Sequence, residues 1–251
     1  MLILLIFIVI ILLILYIKNK YFTLRDHILG LSPHFLFGNV IQSGFVYGRS
    51  RAQIFEEYKQ RYGDIFQFFF GPVRLIVVSN TTDVQHIFTH RNIYEQGYLF
   101  TEQFSVLFPS GFITLTGSTP TCFGKIVILV ICPPELTVGP PSTNVTCDNI
   151  FIPFYNLAHD ERYWSIDPKL FYPERFLNED KNHHLYALIP FGSGHRQCIG
   201  QDLARFELKV IIARMMQQVT FVDGGPTVNS GGHITSMTIL PKHVGVGIEF
   251  A

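Results

Sequence analysis

The stretch IPFGSGHRQCIGQDLARFE, residues 189–207, sets one cysteine between glycines, two residues after an arginine. Leu203, Phe206, Val210 and Ile211 recur at helical spacing behind it, which predicts a helix over Gln201 to Gln217. Cys198 therefore stands just ahead of a helix N-terminus. Thiolate is the metal-ligating form of cysteine, and the free N–H groups and positive dipole end of a helix favour an anion. Gly194 and Gly200 let the backbone bend and approach a flat group at points where a side chain would collide with it. Arg196 can pair with a carboxylate, and Phe191 can keep water from the sulfur. Two plainer readings stand beside this one. A lone cysteine in a glycine-rich turn is commonly structural. His195-x-x-Cys198 also has zinc-like spacing, although zinc needs a second pair, for which His183-His184 is the nearest candidate.

Working outward, DPKLFYPERFLNED (167–180) is punctuated by prolines, and IFIPFYNLAHDERYW (150–164) reads as an extended run. SRAQIFEEYKQRYG (50–63) places Ile54, Tyr58 and Tyr62 at four-residue intervals with Gly63 as a stop, an amphipathic helix. DIFQFFF and VRLIVVS flank Gly71-Pro72 as a hairpin. NTTDVQHIFTHRNIY (80–94) opens with Thr/Asp capping chemistry and predicts a short helix. Residues 117–149 are rich in Pro, Gly, Thr and Ser around an isolated IVILVI, and no period persists there. VTFVDGGPTV and HITSMTILPKHVGVGIEF read as strands joined by glycine turns.

The N-terminus carries LILLIFIVIILLILYI (2–17), uncharged and followed by Lys18 and Lys20. Sixteen helical residues cover about 24 Å, a little short of a hydrocarbon core, and Tyr21 and Phe22 extend it to the interface. The reading is a membrane anchor over 2–20, a linker over 21–48 and a main domain over 49–251, with an irregular junction near 118–132. Lysines after the span keep the downstream chain in the cytosol. The sequons at Asn80 and Asn144 are then idle. Net charge is zero, so no basic field recommends nucleic acid. Four scattered cysteines (122, 132, 147, 198) argue against a disulfide framework on that side of a membrane.

Phe191, Gly194, Arg196, Cys198 and Gly200 resemble, position for position, the F-x-x-G-x-R-x-C-x-G signature of the cytochrome P450 family. From this composition a chance match is on the order of one in ten thousand. Phe171, Pro173, Glu174, Arg175 and Phe176 resemble the family's F-x-P-E-R-F segment, preceded by His159, Trp164, Asp167 and Pro168. LFGN (36–39), the hairpin and the helix after it are similar as well. The resemblance implies a mainly α fold with small β-sheets (α+β), incomplete, behind an N-terminal transmembrane helix. It implies haem with Cys198 as axial ligand to iron, Arg196 on a propionate, and Phe191, Gly194 and Gly200 shaping the loop. The sulfur's electron push would favour O–O cleavage. The activity implied is insertion of one oxygen atom of O₂ into a small apolar organic substrate. Electrons would come from an NADPH-dependent reductase at the endoplasmic reticulum membrane. Arg205 and Lys209 lie on the face that receives the electron donor in the family, or form a solvated basic stripe.

The sequence also departs from the family. Between GFITLTGS (111–118) and CPPELTVGPPSTN (132–144) most of the helical core has no counterpart. The acid/alcohol pair over the haem is absent. So is the E-x-x-R glutamate that engages Arg175, because Arg162 has no glutamate three residues before it. The W-x-x-x-R pair would fall at Pro120 and Gly124, a further propionate arginine near Pro140, and no P-K-G turn follows DNIFIP. No residue is thereby assigned a catalytic role. Arg175, without its glutamate, is expected to cost several kcal/mol. The alternative readings are a non-catalytic truncated remnant or splice form that binds haem weakly or not at all, and a small zinc or structural module.

Overall fold

A computed structural model describes residues 2–25, 27–90, 94–96, 128–131, 148–194, 197–235 and 239–250. The chain divides into an N-terminal unit, Met1–Cys198, and a C-terminal unit, Ile199–Ala251.

The N-terminal unit begins with helix α1 (Leu2–Tyr21), with no acidic residue in its first turn and Lys18 and Lys20 in its last. Its apolar side chains are exposed all round, from Ile3 to Tyr16. Among the described residues it is the one helix long and apolar enough to cross a membrane.

Helix α2 (Arg51–Tyr62) starts at a capping box. Ser50 Oγ accepts from the Gln53 backbone N–H, and the Gln53 side chain accepts from that of Ser50. Gly63, at φ +92°, ends it. The predicted hairpin forms as β1 (Ile65–Phe70) and β2 (Val73–Val78), paired antiparallel. Gly71, at φ +60°, makes the tight turn between them. Ile54, Phe55 and Tyr58 of α2 pack on Phe66, Phe68 and Val77 to form one half of the core. Burying each such side chain contributes about 1.5–3 kcal/mol.

Residues 21–48, read as a linker, are bonded to this hairpin. Asn39, fully buried, accepts at Oδ1 from the Phe69 N–H (2.8 Å) and donates from Nδ2 to the Leu31 carbonyl (3.0 Å). Buried Gln67 donates to the carbonyls of Arg25 (2.5 Å) and Ile28 (2.6 Å) and accepts from Arg74 (2.9 Å). An irregular segment has no ladder of its own, and these two amides take its place.

The five-stranded sheet runs β1-β2-β5-β4-β3, with β3 (Tyr94–Gln96), β4 (Ile128–Ile131) and β5 (Asp148–Phe151) completing it. β2 and β5 are parallel, while β5–β4 and β4–β3 are antiparallel. β4 is most of the apolar stretch whose sequence shows no period. Four residues are too few for a period to declare itself. Helix α3 (Thr81–Thr89) covers the other face, with Asn80 as its N-cap. Its Val84, Ile87 and Phe88 join Ile76, Ile150, Ile152, Leu157, Tyr186 and Ile189 in the second half of the core.

The run IFIPFYNLAHDERYW is extended only to Phe151. Helix α4 (Phe154–Ala158) then forms behind Pro153, and a 3₁₀ turn comes next at Glu161–Tyr163, capped by Asp160. Proline pre-sets a helix start, which turns the chain where periodicity shows no break. Asp160 is also the centre of an ion network. Lys59 Nζ lies 2.7 Å from its Oδ2, and Arg162 bridges Asp160 and Asp64 at 2.7 Å each. Burial alone would raise the Asp160 carboxyl, but hydrogen bonds from Arg162 and Lys59 outweigh it and hold the group at about 2.

The C-terminal unit holds helix α5 (Gln201–Met216), the pair β6 (Val219–Asp223) with β9 (Val246–Phe250), and the pair β7 (His233–Thr235) with β8 (Ile239–Pro241). Leu203, Phe206, Val210 and Ile211 of α5 are exposed. The described residues are thus a mixture of helices and small sheets, as expected.

Candidate functional site

The cysteine loop grows out of the core. A 3₁₀ turn, Leu185–Ala187, buries Tyr186 and Ala187, and Ile189 comes after them, also buried. The Tyr186 ring stacks near Phe88 of α3, at 6.2 Å between centroids. From that base the chain turns twice. Gly192 N–H donates to the Ile189 carbonyl (3.0 Å), and Gln197 N–H donates to that of Gly194 (3.2 Å). The Cys198 N–H then donates to the Phe191 carbonyl (2.9 Å), closing residues 191–198 into a loop. Gly192 and Gly194 sit at φ +72° and +65°, where a side chain is strained. At Gly194 a Cβ would also collide with the Phe88 carbonyl oxygen. The neighbour that demands glycine there is the backbone of α3.

At the loop's end Cys198 is a free, half-buried thiol, and Phe191 is half-buried. Gly200 stands in the C-terminal unit as the N-cap of α5, and a Cβ there meets no atom within 4 Å. A thiolate is a soft donor of the kind that suits an iron group. His195 and Arg196 lie outside the described residues. So do Cys122, Cys132, Cys147, Asn144 and the positions of the missing propionate pair, Pro120 and Gly124. His183 is occupied elsewhere: its ring stacks on Trp164 at 5.1 Å and its Nδ1 bonds the Asp180 carbonyl (2.8 Å). His184 Nδ1 accepts from the Tyr186 N–H (3.2 Å). Among the described residues no group of three or more His, Cys, Asp or Glu could hold a metal ion.

Arg175 corrects one expectation. It is 4% exposed, yet it does not lack an anion. Its guanidinium donates to the carbonyls of Ile166 (3.0 Å), Asp167 (2.7 Å), Leu170 (3.1 Å) and Tyr172 (3.2 Å), and Asp180 lies 3.6 Å away. Trp164 stands over it at 5.8 Å. The carboxylate comes from a short way downstream, in the LNEDKN run (177–182).

The family model described as Cytochrome P450 matches residues 29–118 and 148–235. The residues it leaves unmatched between them, 119–147, include the CPPELTVGPPSTN stretch (132–144) at which the sequence resemblance is read to resume. A cytochrome P450 of Mycobacterium tuberculosis is 39% identical over 97 residues, 38% of this chain and 20% of its own length. Human cytochrome P450 3A7 is 42% identical over 73 residues, 29% of this chain and 14% of its own. A zebra fish cytochrome P450 solved with abiraterone is 25% identical over 42% of this chain and 24% of that one, with a TM-score of 0.35. The chain thus spans about a fifth or less of the length of these curated relatives.

Proposed function

This chain belongs to the cytochrome P450 family, and on that premise we propose that it is a haem-thiolate protein with Cys198 as the axial ligand. The observation that carries the reading is the loop closed from Phe191 to Cys198, which presents one free, half-buried thiol at the family's cysteine position. Arg196 would pair with a propionate, Phe191 would shield the sulfur, and Gly194 and Gly200 would shape the loop. Haem iron, when bound, supplies the redox chemistry of oxygen activation.

The chain's own residues hold the ligand in place. The Cys198 N–H is committed to the Phe191 carbonyl, and Gly194 packs on the α3 backbone, so the loop's main chain is held by the protein's own contacts. Phe191, half-buried itself, would limit water at the sulfur, which tunes an iron–thiolate bond through its surroundings. The activity proposed is monooxygenation: one oxygen atom of O₂ enters a small apolar substrate, with electrons from an NADPH-dependent reductase. Residues 2–20 would anchor the chain in the endoplasmic reticulum membrane, with 49–251 as a shortened haem domain facing the cytosol.

Turnover tests this reading. Full-length protein in lipid, supplied with haem, reductase and NADPH, should oxidise an apolar test substrate, and Cys198→Ser should abolish product. NADPH-dependent product that survives Cys198→Ser would overturn the assignment.

A further inference from the structure

Phe88 borders the cysteine loop at two places. Its buried ring lies against Tyr186 at 6.2 Å between centroids, with 25° between their planes. That separation falls in the range over which aromatic rings attract. Tyr186, itself buried, belongs to the base from which the loop leaves the core. The main chain of Phe88 backs the turn. A side chain at Gly194 would collide with the Phe88 carbonyl oxygen and lie 3.5 Å from its Cβ. Phe88 stands in the last turn of α3, where carbonyls lie beyond the helical ladder, so its oxygen can face a neighbour.

Both contacts lead to Cys198. On one side, Ile189 is buried in the same cluster as Phe88 and Tyr186, and its carbonyl accepts from the Gly192 N–H (3.0 Å). The preceding residue, Phe191, holds the Cys198 N–H at 2.9 Å. On the other side, the Gly194 carbonyl accepts from the N–H of Gln197, next to Cys198 (3.2 Å). The far end of α3 is fixed as well, because the Thr81 N–H donates to the Tyr163 hydroxyl (3.1 Å). A close-packed interior transmits a displacement instead of absorbing it, so a shift of Phe88 reaches both ends of the loop.

We propose that Phe88 is a positioning residue for Cys198. Its ring sets where the loop leaves the core, and its carbonyl sets where the loop turns back towards the sulfur. The effect on iron rests on Cys198 being the axial ligand, whereas the effect on the thiol is a property of the chain alone. Surroundings that orient a ligand tune the metal it holds.

The test uses full-length protein in detergent micelles and reads Cys198 first without haem. The rate at which iodoacetamide alkylates Cys198 is followed by mass spectrometry of the peptide that carries it. Phe88→Leu should raise that rate roughly fivefold or more, because the loop opens more often. Phe88→Met, which puts a flexible apolar chain in place of the ring, guards against loss of folding and should do the same. Leu157→Ala removes a buried side chain of the same cluster from α4; it should lower thermal stability yet leave the alkylation rate unchanged. In haem-loaded protein Phe88→Leu should also shift the iron reduction potential, while Leu157→Ala leaves it in place. Wild-type alkylation of Cys198 in both Phe88 variants, or an equal rise in Leu157→Ala, would overturn the proposal. A chain that takes up no haem would overturn the haem reading alone, since the alkylation rates still decide what Phe88 does.

Discussion

The guanidinium of Arg175 and the carboxylate of Asp180 lie 3.6 Å apart with side chains 5% and 2% exposed, in a shell of backbone carbonyls and amides. The Asp180 Oδ1 accepts from the Ser165 N–H at 2.6 Å, so the pair ties 165–167 to 175–180. Removing the acid leaves a buried cation with neutral hydrogen-bond partners. Asp180→Ala is expected to lose about 3 kcal/mol in urea unfolding, and a loss under about 1 kcal/mol would mean that the carbonyls suffice.

The two glycines on either side of Cys198 should separate by mechanism. Gly194→Ala meets both a positive φ and the Phe88 carbonyl, so it should destabilise by more than about 2 kcal/mol. Gly200→Ala meets neither and should change stability by less than about 1 kcal/mol. If Gly200 matters for approach to haem, its alanine variant will fold normally and bind haem more weakly. Spectroscopic haem titration beside the unfolding curves reads both.

Asp160 gives a pH signature. Its folded value, about 2, lies below the ordinary 3.8, so its contribution is present above pH 4 and is lost as pH falls towards 2. The difference corresponds to roughly 2 kcal/mol. Asp160→Asn should flatten that part of the stability–pH curve, measured by urea unfolding between pH 2 and 5.

Tyr58 carries a buried hydroxyl with no hydrogen-bond partner among the described residues, and burial, then Tyr62 and Glu57, pushes it up to about 12. Tyr58→Phe removes an unsatisfied group and keeps the ring among Phe66 and Phe68. Thermal unfolding should show it unchanged or stabilised by about 1 kcal/mol, where loss of a made bond would destabilise by a similar amount.

The Asn80 side chain is committed as a helix cap. Its Oδ1 accepts from the Asp83 N–H (2.8 Å) and its Nδ2 donates to the Asp83 carboxylate. Asn80→Ala should cost about 1 kcal/mol as a lost cap in chemical unfolding. Folded protein presented to an oligosaccharyl donor should remain unmodified at this position.

The features legible in the sequence are the local ones. Ser50 and Gly63 mark the ends of α2, Gly71-Pro72 marks the hairpin, and the spacing around Cys198 marks the loop. Each of these signals acts within a few residues. β4 is not legible because four apolar residues are too short a run to show a period. α4 escapes because the turn at Pro153 lies inside an aromatic, β-like run. Asp180 looks like surface because nothing in NEDKN says that the chain folds back on Arg175. Gly194 is marked as indispensable by its motif, but its partner, the Phe88 backbone, is distant in sequence and only the fold brings it near.

The central claim is that Cys198 ligates haem iron as a thiolate, and the reduced, carbon monoxide-bound absorption spectrum tests it most directly. Full-length protein titrated with haem should show the red-shifted Soret band of a thiolate ligand. Cys198→Ser should lose that shift while Gly200→Ser, two residues on, keeps its wavelength. A wild-type protein that takes up no haem, or a Cys198→Ser spectrum identical to wild type, would contradict thiolate ligation at Cys198.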